Sequence, residues 1–378
     1  MALSRRKTLA ILGGGAVLAA GGIGHRITRS PTDAVQPWAQ AGLYEDPRKR
    51  ALSYAILAPN PHNRQPWLVD LSAQDQVTLY VETDRLLPHT DPFSRQIVIG
   101  LGCFLEVLRI AASQDGYDLQ FDLFPDGEMT EALDDRRVAV VRFAQSAATP
   151  DPLFAHVMNR RTEKEPYDLA RPVADDILPR LEAACVNGTR TGSSNDAQVV
   201  QTLRELSNEA LRIEVETPRT FKESVDLFRI GYKEVNANPD GIDFSGPIFE
   251  GMSMAGFFSR EATLDTSSTA YAQGLAAVLE NTDTAMAHIW MVTDGNSRID
   301  QINAGRDWVR LNLTTTREGV AMQPLSQALQ EYPEMAALYS DIHQMLAPEG
   351  GTVQMFARLG YCAPVPQSPR WPLEAKLV

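Results

Sequence analysis

Two stretches of this chain carry the same punctuation, and that repeat constrains the fold more than any other feature. An apolar helix is expected over residues 97–113, with Gly102 inside it and Gly116 beyond it. A second is expected over residues 300–317, with Gly305 and Gly319 in corresponding places and Ala304, Trp308, Leu311 and Thr315 on one stripe. Leu105 and Leu108 match Trp308 and Leu311 in offset from their glycines. The echo is consistent with a fused duplication of α+β class, in which each lobe is a mixed sheet flanked by helices. At 378 residues the chain has the length for two such lobes.

The rest of the chain fills in this frame. A helix over residues 48–57 is stopped by Pro59 and Pro61. A hairpin follows over residues 67–71 and 76–82, with Val77, Leu79 and Val81 alternating toward one face. Strands near 118–124 and 137–143 complete a first lobe spanning residues 45–150, and residues 144–152 read as the connection. The second lobe, residues 153–378, has a continuous apolar strand over 288–293. It also carries an extra, largely helical block over residues 206–280, with an aromatic and Met cluster from Phe244 through Phe258. That cluster reads either as packing between lobes or as a lid, with Gly241, Gly246, Gly251 and Gly256 as flexible points.

The amino terminus reads as an address. Arg5, Arg6 and Lys7 precede a Gly- and Ala-rich apolar run over residues 8–23. That run falls short of the about 20 apolar residues a membrane span needs and has the layout of a signal peptide. Ser4-Arg5-Arg6-x-x-Leu9 resembles the twin-arginine export signal, with Thr8 where that pattern has Phe and Ala10 where it has Lys. The resemblance implies export to the periplasm or cell envelope by the twin-arginine machinery; left uncleaved, residues 1–30 would be an anchor. A dinucleotide-binding turn at Gly13-Gly14-Gly15 is the competing reading, but Leu18 stands where its third glycine belongs. Residues 28–40 read as a polar linker.

Composition excludes several classes. The net charge of −13 hides an asymmetry: the first 30 residues hold five basic residues and no acid, so the chain beyond them carries −18. So acidic a body repels phosphate backbones, which argues against nucleic acid, and any anionic ligand must be held by a local cation cluster. Cys103, Cys185 and Cys362 are widely spaced, and neither they nor the six histidines show metal-ligand spacing. Gly251-Met252-Ser253-Met254-Ala255 approximates a nucleophile elbow but lacks the final glycine and a preceding strand.

Two polar strings carry the chemistry. The first is Pro59-Asn60-Pro61-His62-Asn63-Arg64-Gln65-Pro66-Trp67, in which the amides of Asn63 and Gln65 can both donate to and accept from a heteroaromatic ring edge. The second is Arg160-Arg161-Thr162-Glu163-Lys164, whose cations and hydroxyl suit a phosphate monoester. The first resembles the P-S-x-x-N-x-Q-P-W segment of nitroreductase-like flavoproteins, with Asn60 and Pro61 in place of the usual serines. The second resembles that family's R-x-[ST]-x-[RK] phosphate grip, matched by Arg160, Thr162 and Lys164. Arg370 corresponds to a basic residue that family members place near the carboxyl terminus against the same phosphate. Pro324-Leu325-Ser326-Gln327 is similar to a P-I-E-G-like turn that packs on the flavin and offers it a backbone N–H, departing at Ser326 and Gln327.

The resemblance is to the Acg-type tandem branch and implies two nitroreductase-like lobes in one chain. Each lobe supplies a complementary half-site, so the expectation is one FMN per chain at the lobe interface. The implied function is an exported FMN-dependent oxidoreductase acting on an unknown small-molecule acceptor with an unknown donor, and no obligate protein partner is inferred. No side chain is assigned as catalytic acid or base, since the cofactor carries the chemistry. The alternative is a protein that binds and sequesters FMN without turnover.

Overall fold

The computed structural model describes residues 29–146 and 149–378, so the export signal read from residues 1–28 lies outside the described residues. In the first lobe, α1 (Pro47–Ala55) starts where the Asp46 carboxylate accepts from the Arg48 N–H, with Pro47 at the first helical position. The hairpin β1 (Trp67–Asp70) and β2 (Gln76–Val81) buries Val77, Leu79 and Val81 as the alternation predicts. Then come α2 (Arg95–Gln114), β3 (Tyr117–Leu123) and β4 (Ala139–Gln145), and the sheet order is β1-β2-β4-β3.

In the second lobe a short helix, Ile177–Glu182, precedes β5 (Arg190–Ser194) and α3 (Ala197–Glu216). The extra block continues as α4 (Pro218–Asp226), β6 (Phe228–Ile230), α5 (Gly231–Ala237), β7 (Ile242–Phe244), α6 (Pro247–Met254), α7 (Arg260–Leu264) and α8 (Thr269–Asp283). It is largely helical, as expected, although α3 begins before residue 206. The lobe closes with β8 (Ala287–Thr293), α9 (Arg298–Glu318), β9 (Ala321–Pro324), α10 (Ala336–Leu346) and β10 (Thr352–Gly360), in sheet order β5-β8-β10-β9.

The class is α+β, but the sheets are not mixed in the way expected. Every strand pairing within the two four-stranded sheets is antiparallel. Parallel pairing among the described residues is confined to β6 with β7 and to a single bridge between Val69 and Leu377. That bridge is informative, because it brings the carboxyl-terminal tail of the second lobe onto the edge of the first lobe's sheet. The Val378 N–H donates to the Val69 carbonyl at 3.0 Å, and Lys376 pairs with Glu82 at 2.7 Å.

The repeated glycines mark where the two lobes meet. A Cβ on Gly102 would lie 2.2 Å from the Ile302 carbonyl oxygen, and one on Gly305 would lie 2.0 Å from that of Ile99. Helices α2 and α9 therefore cross backbone to backbone at these two residues, and the Cys103 thiol reaches the Gly305 carbonyl at 3.1 Å. Gly116 and Gly319 follow the two helices with φ of 76° and 68°, the left-handed conformation that ends a helix at low cost for glycine. One hydrophobic core runs through both lobes, from Trp67 and Phe104 to Trp308 and Leu359. By length and composition α2 could cross a membrane; here 89% of its apolar window is buried inside the protein.

Candidate cofactor site

The turn after α1 is built from unusual backbone. His62, Asn63 and Gln65 all have positive φ, at 47°, 52° and 51°. Non-glycine residues pay for that conformation, Asn least, and it persists only where the surroundings enforce it. Here they do. The Asn60 Oδ1 accepts from the Gln65 N–H at 2.7 Å, and the Asn63 carbonyl accepts from the Gly241 N–H at 3.3 Å. Asn63 Nδ2 donates to the Pro369 carbonyl at 3.0 Å, while its Oδ1 accepts from Arg370 at 2.6 Å. The turn of the first lobe is thus stitched to the tail of the second.

Behind the turn lies a cluster of cations. Arg160 donates to Asn312 Oδ1 at 2.9 Å and to the Leu57 carbonyl at 3.2 Å. Arg370 donates to the same Leu57 carbonyl and to that of Ala58, each at 3.1 Å. Arg161 donates to the Met158 and Arg160 carbonyls. Arg160 and Arg370 are buried, and none of the three forms an ion pair among the described residues. Glu163 gives Coulombic support only, its Oε2 being taken by the Met322 N–H at 3.2 Å. Burial pulls the Arg160 guanidinium down to about 10, and burial with the charges of Arg160 and Arg161 pulls Arg370 well below its ordinary value. The Nε atoms of Arg161 and Arg370 are enclosed without a hydrogen-bond partner among the described residues. Concentrated buried charge of one sign is costly, and a bound anion is the usual remedy.

Both features face one cavity of about 410 Å³, within the range of small-molecule and cofactor sites. Pro59, Asn60, Pro61 and Asn63 line it from the turn, and Arg160, Arg161, Thr162, Lys164 and Arg370 from the cation cluster. Pro324, Ser326 and Gln327 border it from the end of β9. Two of the sequence-predicted residues do not reach it. Gln65 is fully buried as a strut: its Nε2 donates to the Pro239 carbonyl at 2.7 Å and its Oε1 accepts from the Trp371 N–H at 2.8 Å. Leu325 packs into the core of the second lobe, and its N–H donates to the Phe356 carbonyl at 2.8 Å. The backbone donors left to a ring beside this turn are those of Ser326 and Gln327.

Comparison with known proteins finds likenesses to putative nitroreductases. The chain is 23% identical over 334 residues to "Putative NAD(P)H nitroreductase Rv3131" of Mycobacterium tuberculosis (strain ATCC 25618 / H37Rv), covering 85% of this chain and 88% of that protein. It is 33% identical over 160 residues to "Putative NAD(P)H nitroreductase acg" of the same organism, covering 36% and 46%. These relatives support a nitroreductase-like family. No family model matches the chain. A solved structure described as a "putative nitroreductase" from Anabaena variabilis aligns over 92% of this chain and 93% of its own, at 10% identity and a TM-score of 0.42.

The remaining walls of the cavity come from elements outside the two polar strings. Helix α2 supplies Ile99, Gly100 and Cys103, and α9 supplies Trp308 and Asn312. Gly100 is there because a Cβ would meet Asn60 and Pro61 at 3.1 Å. The extra block contributes Gly241, Ile242, Phe244 and Phe249, so the aromatic cluster both packs on itself and faces the cavity. His62 lines the cavity as well; burial, with Lys164 and Arg64 nearby, lowers it to about 4, which leaves a neutral imidazole at physiological pH. The segment read as a polar linker carries a short helix, Gln36–Gln40, with Trp38 buried against the cation cluster.

Proposed function

We propose that the chain is an FMN-dependent oxidoreductase that holds one FMN between its two lobes and passes electrons between small molecules bound over the flavin. The observation that carries this reading is the convergence of Asn63 from the first lobe and Arg160 and Arg370 from the second on one cavity, with enclosed guanidinium nitrogens awaiting an acceptor. These residues fit the group. Arg160, Arg161, Thr162, Lys164 and Arg370 would hold the phosphate, and the turn at residues 59–63 with Pro324, Ser326 and Gln327 would border the ring. When bound, the flavin supplies two-electron redox chemistry. The chain would orient it, with Phe244, Phe249 and Trp308 as apolar walls of the cavity and the backbone N–H groups of Ser326 and Gln327 available to it.

Export belongs to the same proposal. The paired arginines near the amino terminus suit a route that carries folded proteins, and a cofactor enclosed between two lobes requires folding before transport. The decisive measurement is the visible spectrum of the purified protein. Flavin absorption that is released on denaturation supports the reading, and a colourless protein that takes up no added FMN sinks it. If flavin binds but neither NAD(P)H nor an artificial donor reduces it, sequestration replaces turnover.

A further inference from the structure

The segment that precedes α1 is part of the anion site. The Trp38 Nε1–H donates to the Ser368 carbonyl at 2.8 Å, which fixes the indole beside the tail. The Arg161 guanidinium carbon lies 4.9 Å from the ring centroid and that of Arg370 lies 5.7 Å away. The same segment grips its surroundings at Ala34, whose carbonyl accepts from the Arg370 N–H at 2.8 Å and whose N–H donates to Asn236 Oδ1 of α5 at 3.1 Å.

Three guanidiniums gathered in one buried patch repel each other. Peptide carbonyls and amides can accept their in-plane N–H groups, but every donor so used is lost to a ligand. An indole face attracts the guanidinium instead through its π-electrons. That interaction stabilises the charge and leaves in-plane N–H edges, such as the unpartnered Nε atoms of Arg161 and Arg370, for an anion.

We propose that Trp38 is the positioning residue of this anion site, holding Arg161 and Arg370 in place for a phosphate monoester. The identity of the ligand rests on the flavin reading; the role of Trp38 does not. Trp38→Ala, Trp38→Phe and the wild-type full chain would be titrated with FMN, with riboflavin, which lacks the phosphate, and with inorganic phosphate. Circular dichroism would establish folding. Trp38→Ala is expected to lose about tenfold in affinity for FMN and for phosphate, the scale of cation–π contacts, while riboflavin affinity stays unchanged. Trp38→Phe, which keeps an aromatic face, should recover most of the loss. If Trp38→Ala does not fold, Trp38→Leu removes the π-face with less loss of bulk and carries the same comparison. Equal losses for FMN and riboflavin, or none for FMN, would overturn the proposal. A wild type that binds phosphate but neither flavin would refute the flavin reading alone, with Trp38 judged on phosphate. A wild type that binds none of the three would refute both.

Discussion

Arg160 is a buried cation without a carboxylate partner among the described residues, and a bound phosphate would recover much of what that arrangement costs. A charge-assisted hydrogen bond contributes about 1.5–3 kcal/mol, so Arg160→Ala is expected to weaken FMN binding about ten- to hundredfold in a flavin-fluorescence titration. Unchanged affinity would remove Arg160 from the site. His288 makes a different kind of test. It stacks on Phe356, with ring centroids 5.1 Å apart, and neither of its nitrogens has a hydrogen-bond partner among the described residues. Burial, with Arg204 and Arg358 nearby, lowers it from 6.5 to about 3. Below pH 6.5 the unfolded imidazole therefore takes a proton that the native one refuses, so stability is full above that pH and declines as the pH falls. The slope for one such group approaches 1.4 kcal/mol per pH unit. His288→Phe should flatten the dependence of the urea midpoint between pH 6 and about 4. An unchanged slope would rule His288 out as its source. At this scale, legibility followed the range of the contacts. Asn63, Arg160 and Arg370 stood out as polar residues in unusual strings. Gln65 sits in the same string, yet its role is set by Pro239 and Trp371, 174 and 306 residues away. Trp38 escaped for the same reason.

The crossing of α2 with α9 is the contact that joins the two halves of the core. A methyl group at Gly305 would have to displace a carbonyl 2.0 Å away and push two core helices apart. Overpacking of that kind costs about 1–3 kcal/mol or more. Gly305→Ala is therefore expected to lower the thermal midpoint by several degrees. Gly274, inside α8, has nothing within 4 Å of where its Cβ would stand. The same substitution there should be neutral or stabilising, since alanine is favoured over glycine in a helix interior by about 1 kcal/mol. Similar effects at both sites would mean that the close approach of α2 and α9 is not tight. The glycine spacing was readable because helix punctuation is local, and glycines, prolines and apolar periodicity placed α1, α2 and α9 to within a few residues. Strand β10 gave no such signal: it is buried along nearly its whole length yet includes Gln354 and Arg358, whose partners lie on distant elements. The antiparallel pairing of the sheets is likewise a product of long-range contacts that periodicity does not encode.

Across the whole molecule, the cavity is closed by pieces that reach over from elsewhere, and they are not equally fixed. The inner end of the extra block is bolted down. The buried Asp240 carboxylate accepts from Arg85 at 2.6 Å, Arg229 at 2.7 Å and Arg64 at 3.4 Å, and Glu223 receives the N–H groups of His89 and Thr90 at 2.9 Å. The outer part differs: α6 is bracketed by Gly246 and Gly256, at φ of 99° and 78°, and leads to Phe257, which is 62% exposed. Phe249 on α6 lines the cavity, so a ligand there would order α6 without disturbing the bolted edge. We predict on this ground that the aromatic cluster acts as a lid with one fixed side. Chymotrypsin would test it through Phe257, with Phe93 of the first lobe, 55% exposed, as an internal reference. A ligand at a hundred times its Kd stabilises the whole fold by about 2.7 kcal/mol and slows every cleavage that requires global unfolding. The lid adds a local term, so FMN should slow cleavage at Phe257 more than at Phe93. Equal slowing at both sites would reduce the effect to mass action and leave α6 as ordinary packing.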